Sequence, residues 1–387
     1  MNLKQFDERK YYIHKADGET TVIREKDMDP YELRFFYRPI CSEKEIDRIL
    51  RVQNNKDYLL RIRADTAIDN MRIMRVIMST ARKSEKNWSL SRFFNDRIFN
   101  QYLAKTNPDV ISSAANLTYG YMFSKEPDGC CEITPFGNLI TVSFALKYFV
   151  FYSNLSLYPY RIQIPPHVRF SSLIIAIRTM LQNESLDFNL DPRGIIPRNI
   201  GLLNSYLTKL QLEFIIGHEF AHNYCKHLDK NNTKSIVRYM TDNKNESTSV
   251  FYTISQKQEF EADYYAIKNC VNYAKRVELC NAAIRFFDSL YIYEEVKELM
   301  FPSDPYLVKD HPPALERKEN IIEKFPNECK PFLEFDKKHT EYCKFLANKL
   351  KEDISYNIEY YEFYGSVYFD KPDTQWRGKE LIDRKDY

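Results

Sequence analysis

The spacing of apolar residues along the chain predicts a mainly helical protein. In the run 206–217, apolar side chains recur at intervals of three and four residues with no interrupting proline, which is typical of a buried helix. Residues 61–106 also favour helix, and a helix that includes residues 171–181 lies between proline-containing breakers. Similar spacing predicts further helices at about 203–228, 256–277, 280–300, 313–324 and 331–352.

Short segments of a different pattern predict strands. Residues 11–14 and 20–23 are rich in β-branched and aromatic side chains and flank the turn pair Asp17-Gly18, so they predict a β-hairpin. Gly137–Ser143 predicts another strand, and residues 365–369 predict one near the end of the chain. Only nine glycines occur in 387 residues, which favours helices over tight β-turns. The expected fold class is therefore α+β and mainly helical, with a small sheet.

The composition narrows the possible partners and compartments. The net charge of +2 gives no electrostatic argument for a nucleic-acid partner. The first ten residues lack the apolar stretch of a signal peptide, and residues 139–160 contain too many polar side chains for a spanning helix. We therefore expect a soluble, cytoplasmic protein without membrane contact.

The cysteines and one basic segment have ordinary structural explanations. Eight cysteines without regular zinc-binding spacing are expected to be free thiols in a reducing compartment. The adjacent pair Cys130-Cys131 is expected to flank a turn with Gly129. Residues 61–83 are basic and amphipathic, and we expect them to pack on the core, with a partner-binding or membrane-surface helix as the alternative.

The most informative chemistry lies in the sequence His218-Glu219-Phe220-Ala221-His222. Two histidines four residues apart on a helix share one face, so both can reach one metal ion. Glu219, between them, is placed to take a proton from a water on that ion. This HExxH pattern predicts a zinc hydrolase, most simply a peptidase.

A catalytic zinc needs a third protein ligand and an open position for water. Glu259 and Asp263 begin a predicted helix 37 residues after His222, and their spacing of four places them on one face. We predict Glu259 as the ligand and Asp263 as an outer acceptor that orients a ligand histidine. Glu261 is the weaker candidate, and an ordinary acidic helix start is the alternative.

A third segment, 310–317, combines a histidine, two prolines and an arginine. The prolines predict a stop followed by a helix start, which would hold His311 just before the helix that contains Arg317. A histidine near zinc can donate a hydrogen bond to the developing oxyanion, and the arginine can assist it. The alternative is a helix cap with a solvated histidine.

These pieces together resemble the gluzincin peptidases of the CAAX prenyl endopeptidase and heat-shock membrane protease family. That family shows HExxH, then ExxxD, then HPxxxxR, which here are HEFAH, EFEAD and HPPALER over about residues 200–325. The resemblance implies Zn²⁺ on His218, His222 and Glu259, with Glu219 as general base. It also implies outer positions for Asp263 and for His227, a histidine that often follows the motif by five residues, and it places His311 near the scissile carbonyl. The general organisation of the chain, an HExxH motif after a large N-terminal region, more weakly resembles the phage-exclusion peptidase Lit and its relatives.

The resemblance implies a zincin-like core with an active-site helix pair. We expect an N-terminal mixed region at 1–135 with a sensor or regulatory role, the peptidase core at 136–330, and a C-terminal helix and tail at 331–387. A peptidase holds an extended substrate on an edge strand, for which Gly137–Ser143 is the candidate, with an interior strand as the alternative.

The sequence is compatible with three functional hypotheses. The leading one is a zinc metalloendopeptidase that cleaves a protein or peptide substrate. A second is a regulated bacterial defence or stress protease that acts only with an activating partner. The third is a zinc-binding protein without proteolytic activity that serves as a binding module.

Overall fold

The computed structural model describes residues 6, 8–14, 18, 20–84, 88–124, 127–229, 234–237, 254–302, 311–369 and 376. Over these residues the fold is α+β and mainly helical, as the sequence predicts. The helices of the first half are α1 Pro30–Tyr37, α2 Glu43–Leu50, α3 Asn55–Ile68, α4 Met71–Ser84, α5 Leu90–Phe93, α6 Arg97–Leu103, α7 Pro108–Ala114, α8 Phe144–Leu157 and α9 Pro166–Met180. Those of the second half are α10 Arg198–Tyr224, α11 Ile254–Lys268, α12 Tyr273–Met300, α13 Ala314–Lys324, α14 Pro326–Cys329 and α15 Leu333–Glu362.

The strands form two sheets. β1 Lys10–His14 and β2 Thr20–Arg24 pair antiparallel, which confirms the predicted hairpin. The second sheet contains β3 Thr118–Met122, β4 Gly129–Thr134, β5 Gly137–Ser143 and β6 Lys234–Val237.

The second sheet has the order β3-β5-β4-β6, with β3 parallel to β5 and the other pairs antiparallel. β5 therefore has a neighbour on both sides, so the prediction that Gly137–Ser143 is the edge strand is wrong and the interior alternative holds. The turn predicted at Cys130-Cys131 is also wrong, because both cysteines lie within β4. The hydrophobic pattern of a segment does not reveal whether other strands will pair with both of its edges.

One helix and one strand differ from prediction because distant residues intervene. The helix predicted at 256–277 ends at Lys268, where Cys270 forms a bridge to Thr106, and α12 begins at Tyr273 with Asn272 as its cap. The strand predicted at 365–369 is reduced to one bridge between Gly365 and Glu184. Both sites involve partners far along the chain, which local pattern does not contain.

The basic segment 61–83 packs onto the protein interior. Arg61 is buried against Glu25 and Asp65, while Arg63 is buried and donates to Asp96 at 2.8 Å. These charges are paired inside the fold, which agrees with the prediction that the segment packs on the core.

One large hydrophobic cluster runs through the molecule. It includes Tyr37 near the N-terminus, Phe220 in the centre and Trp376 near the end. All three predicted regions thus contribute to one core, and the division at 135 and 330 stays a prediction.

Candidate metal centre

The long helix α10 places HEFAH deep inside the protein. Its surroundings are apolar, and a Cβ on Gly217 would lie 2.6 Å from the Tyr102 ring, so only glycine allows this close approach. His218, Glu219 and His222 are at most 2% exposed. One helical turn brings the Nε2 atoms of the two histidines to 2.9 Å from each other.

Helix α11 supplies the third side chain. Glu259 places Oε2 at 3.4 Å from His218 Nε2 and Oε1 at 3.3 Å from His222 Nε2. Two donor atoms bound to one tetrahedral zinc lie about 3.4 Å apart, given bonds of about 2.0–2.1 Å. The His₂Glu set therefore fits a catalytic zinc. The two histidine Nε2 atoms, now 2.9 Å apart, would only have to move apart slightly. We call His218, His222 and Glu259 the primary cluster.

One side of the primary cluster is held by a buried ion pair. His218 Nδ1 lies 2.8 Å from Asp263 Oδ1, and Asp263 in turn accepts from Arg317 Nε and Nη2, each at 2.7 Å. Arg317 Nη1 also lies 3.1 Å from Glu259 Oε2. This arrangement fixes His218 with Nε2 directed at Glu259, because its Nδ1–H donates to the carboxylate.

A second hydrogen-bonded chain reaches the other histidine. His222 Nδ1 lies 2.9 Å from His227 Nδ1, and His227 Nε2 lies 3.0 Å from Glu261 Oε2. Glu261 thus faces away from the primary cluster, as its position between Glu259 and Asp263 predicts. Its contact with His227 was not predicted, because it depends on how α10 ends.

Glu219 points toward the sheet. An added Cβ on Gly129, the first residue of β4, would lie 2.7 Å from Glu219 Oε1, so the strand backbone passes close to this carboxylate. Both carboxylate oxygens of Glu219 are buried without a hydrogen-bond partner. Burial raises the pKa of Glu219 to about 8. A buried carboxylate without donors is costly for a purely structural role and suits a base that awaits a proton.

His311 lies at the exposed side of the cluster. Its Nδ1 is 3.2 Å from Glu259 Oε2, and its side chain is 14% exposed. Pro313 is the N-cap residue of α13. The first backbone N–H after the prolines, that of Ala314, donates to Glu294. The predicted helix start after the prolines is therefore confirmed. The structure thus brings His311 and Arg317 to the same carboxylate from one short segment.

The electrostatics divide the primary cluster into charged and neutral members. Burial opposes ionisation of Glu259, yet His311, His218 and Arg317 hold its pKa well below the usual range. Burial would lower the pKa of His218, but Glu259 and Asp263 outweigh it and raise the pKa to about 9. Burial lowers the pKa of His222 to about 4. A metal ion that binds here must therefore displace a proton from His218.

The described residues contain two further groups with metal-binding side chains. One is Cys225, His227 and Glu261, beside the primary cluster. The other is Asp288, His339 and Cys343, between α12 and α15. Sequence reasoning missed the second group, because Asp288 on α12 is 51 residues from His339, which shares α15 with Cys343.

Comparison with known proteins identifies the class. Among the described residues, none of the helices combines the length and apolar character needed to cross a membrane. No curated protein and no solved structure matches the chain. Residues 190–324 match the family model of peptidase family M48, and this segment contains every member of the primary cluster together with Arg317. The chain is accordingly a metallopeptidase, and thus a hydrolase.

Proposed function

We propose that the protein is a zinc-dependent metalloendopeptidase that hydrolyses peptide bonds within a protein substrate. The observation that carries the proposal is the convergence of His218, His222 and Glu259 beside the buried, unpartnered carboxylate of Glu219. A purely structural zinc is normally enclosed by four protein ligands, whereas three ligands leave a position open. The HExxH, ExxxD and HPxxxxR order further supports kinship with the CAAX prenyl endopeptidase and heat-shock protease group.

The donor set indicates which residues would hold the metal. His218 and His222 would bind through Nε2 and Glu259 through a carboxylate oxygen. Bound Zn²⁺ lowers the pKa of water toward 7 and polarises the substrate carbonyl. Asp263 and Arg317 would keep His218 in the required tautomer and Glu259 in its charged form.

Glu219 is the proposed general base. Its carboxylate would accept the proton of the attacking water at one Oε atom and then deliver it to the leaving amine. Because burial raises its pKa to about 8, its affinity for a proton in the metal-free protein is far above that of an exposed glutamate. A bound cation would lower that pKa, so the carboxylate would be ionised at the start of the reaction.

His311 is the proposed donor to the oxyanion. It is the partly exposed member of the site, so it can face a substrate. Arg317 is only 1% exposed and its guanidinium contacts Asp263 and Glu259, which favours positioning over direct contact with the oxyanion. His227 would orient His222 in the way that Asp263 orients His218.

The sheet offers the surface for an extended substrate. The outer neighbour of β4 is β6, which comes from the connection between the two helices of the primary cluster. β6 pairs with residues 129–132 of β4, starting where Gly129 meets Glu219. We infer that this strand regulates access, because a substrate that pairs with β4 must displace it. A strand that controls access supports a regulated protease. We further propose that it acts in the cytoplasm and that the region 1–135 senses an activating partner.

The test combines metal content with cleavage of an unfolded protein substrate. Glu219→Gln should retain zinc and lose cleavage by about 10²–10⁴-fold, as expected for loss of a general base. The exposed carboxylate of Glu341 on α15 provides the control, Glu341→Gln, which should retain both properties. Zinc binding without any cleavage by the wild type would favour the binding-module alternative.

The regulatory part has its own test. Deleting residues 234–237 should increase cleavage of a short peptide, whereas deleting the equally long stretch 242–245 should have less effect. Unchanged cleavage in the first deletion would contradict the role of β6 and leave the zinc chemistry untouched.

A further inference from the structure

Beside the primary cluster lies a second group of ligand atoms, from Cys225, His227 and Glu261. One sulfur, one ring nitrogen and one carboxylate oxygen lie within 4.8 Å of one another. None of these residues belongs to the His218, His222 and Glu259 set. Thiolate, imidazole and carboxylate are the three side-chain ligand types of zinc in proteins.

The backbone at the end of α10 brings two of these ligands together. The helix ends at Tyr224 with Cys225 as its cap, and Lys226 then adopts a left-handed φ of 56°. A lysine in this region is strained, and glycine or asparagine is the usual residue at such helix ends. The turn reverses the chain so that both Cys225 and His227 approach Glu261 on α11.

The group is accessible to ions from solvent. The Glu261 side chain is 51% exposed, and Cys225 is partly exposed. His227 is buried and anchors the group, with Nε2 at 3.0 Å from Glu261. An ion could therefore enter at the Cys225 and Glu261 side while His227 supplies a fixed nitrogen.

We propose that Cys225, His227 and Glu261 bind a second, regulatory Zn²⁺ that weakens binding of the first. The site itself follows from the ligand group, whereas its effect on cleavage rests on the proposed zinc peptidase function.

The coupling follows from the contact between His222 and His227. When His222 binds metal through Nε2, its Nδ1 carries the hydrogen, and His227 Nδ1 at 2.9 Å must accept it. His227 then carries its own hydrogen on Nε2 and donates it to Glu261. If a second ion takes His227 Nε2, the hydrogen moves to Nδ1 and two N–H groups face each other.

Occupation of the second site thus removes the hydrogen bond that orients His222. Loss of an outer partner of a metal ligand typically costs about 10–100-fold in metal affinity. Because coupling between sites is reciprocal, the first ion must weaken the second by the same factor. Cleavage should rise with the first equivalent of zinc and fall when zinc is in excess.

The direct test uses Co²⁺ as a spectroscopic probe on the full-length, metal-free protein. We expect two phases of binding, the second with a thiolate-to-cobalt charge-transfer band in the near ultraviolet. Cys225→Ser should lose the band, and Glu261→Gln should shift its midpoint by about 10-fold or more, while Glu341→Gln should match the wild type. A single phase without a thiolate band in the wild type would overturn the second site.

A further variant separates this proposal from the peptidase proposal. His222→Ala should lose the first phase and keep the thiolate band, because Cys225, His227 and Glu261 are intact. For the coupling, zinc is titrated against cleavage in the wild type and in Cys225→Ser. Loss of inhibition by excess zinc in Cys225→Ser supports the coupling, and equal inhibition in both proteins overturns it. A protein that binds two Co²⁺ ions yet never cleaves would contradict only the peptidase function.

Discussion

Two buried clusters that α13 reaches contain similar residue types but differ in their chemistry. The primary cluster combines His218, His222 and Glu259, and the other cluster combines Asp288, His339 and Cys343. Consecutive residues of α13, Arg317 and Lys318, reach into the two clusters, and both are nearly fully buried. Judged by residue type alone, both clusters would be candidate metal sites.

The two clusters differ in which groups contact their potential metal-ligand atoms. Lys318 Nζ lies 2.7 Å from Asp288 Oδ1 and 2.6 Å from Asp336 Oδ1, and His339 Nδ1 lies 2.8 Å from Asp288 Oδ2. The protein's own cation therefore neutralises the second cluster, which we call the lysine cluster. In the primary cluster, the Nε2 atoms of His218 and His222 face each other, and Arg317 binds mainly the outer carboxylate of Asp263. Converging electron pairs are more available to a metal where the internal cation lies mainly on an outer carboxylate than where it lies on the ligand atoms themselves.

The largest expected effect tests which cluster holds metal. His222→Ala should lose the equivalent of metal that the primary cluster binds and abolish cleavage, because a ligand of that cluster is lost. His339→Ala, at the lysine cluster, should keep both. Elemental mass spectrometry of the dialysed proteins measures the outcome, and metal loss in His339→Ala alone would reverse the comparison.

Removing the internal cation should destabilise the lysine cluster and open it. Lys318→Met leaves Asp288 and Asp336 buried without their partner, which costs about 3–5 kcal/mol. Urea unfolding measures this loss, with Lys344→Met, at an exposed lysine paired with Glu341, as the control. Added Zn²⁺ should restore more stability to Lys318→Met than to the wild type, because Asp288, His339 and Cys343 become available. Wild-type stability in the variant would show that the ion pair contributes little.

The outer carboxylate of the primary cluster should affect metal affinity by a smaller factor. Asp263→Asn weakens the contacts to His218 and Arg317, so the zinc dissociation constant should rise by about 10–100-fold. Asp336→Asn makes the same charge change in the lysine cluster and should leave that constant unchanged. Competition with a chromophoric chelator measures both, and equal constants in Asp263→Asn and the wild type would refute the orienting role.

The smallest expected effect is a pH-dependent change in the stability of the metal-free protein. Folded Glu219 keeps its proton up to about pH 8, whereas the unfolded chain releases it near the ordinary value of 4.5. Unfolding between these values therefore releases a proton, so this group lowers stability as pH rises from about 4.5 to 8. Glu219→Gln cannot ionise, so its melting temperature should exceed that of the wild type by a few degrees at pH 8 and match it near pH 4. If the difference in melting temperature between Glu219→Gln and the wild type does not change with pH, the shifted pKa of Glu219 is refuted.

Several features of the site could be predicted because they depend on local helical geometry. The spacing of His218 and His222, and that of Glu259 and Asp263, places each pair on one face whatever the rest of the chain does. The prolines before Ala314 likewise define a helix start within a few residues. The same reasoning located most helices, with boundaries that shifted where a distant residue intervened.

Other features depend on contacts between distant segments. The strand Gly137–Ser143 was recognisable, but its interior position depends on β3 and β4. The close approach of Gly129 to Glu219 and the contact of His227 with Glu261 join residues 90 and 34 positions apart. No local pattern contains that information.

The helical character, and the helical spacing of two histidines, a base and two carboxylates, are visible in the amino-acid sequence because periodicity is a property of neighbouring residues. Which groups meet depends on the folded chain, which brings Glu259 to the histidines, Arg317 to Asp263 and Lys318 into the other cluster. The free energy of a buried charge depends on the partner that folding brings to it, and neighbouring residues do not specify that partner. Similar side chains therefore form a candidate metal centre beside Arg317 and an internal salt bridge beside Lys318.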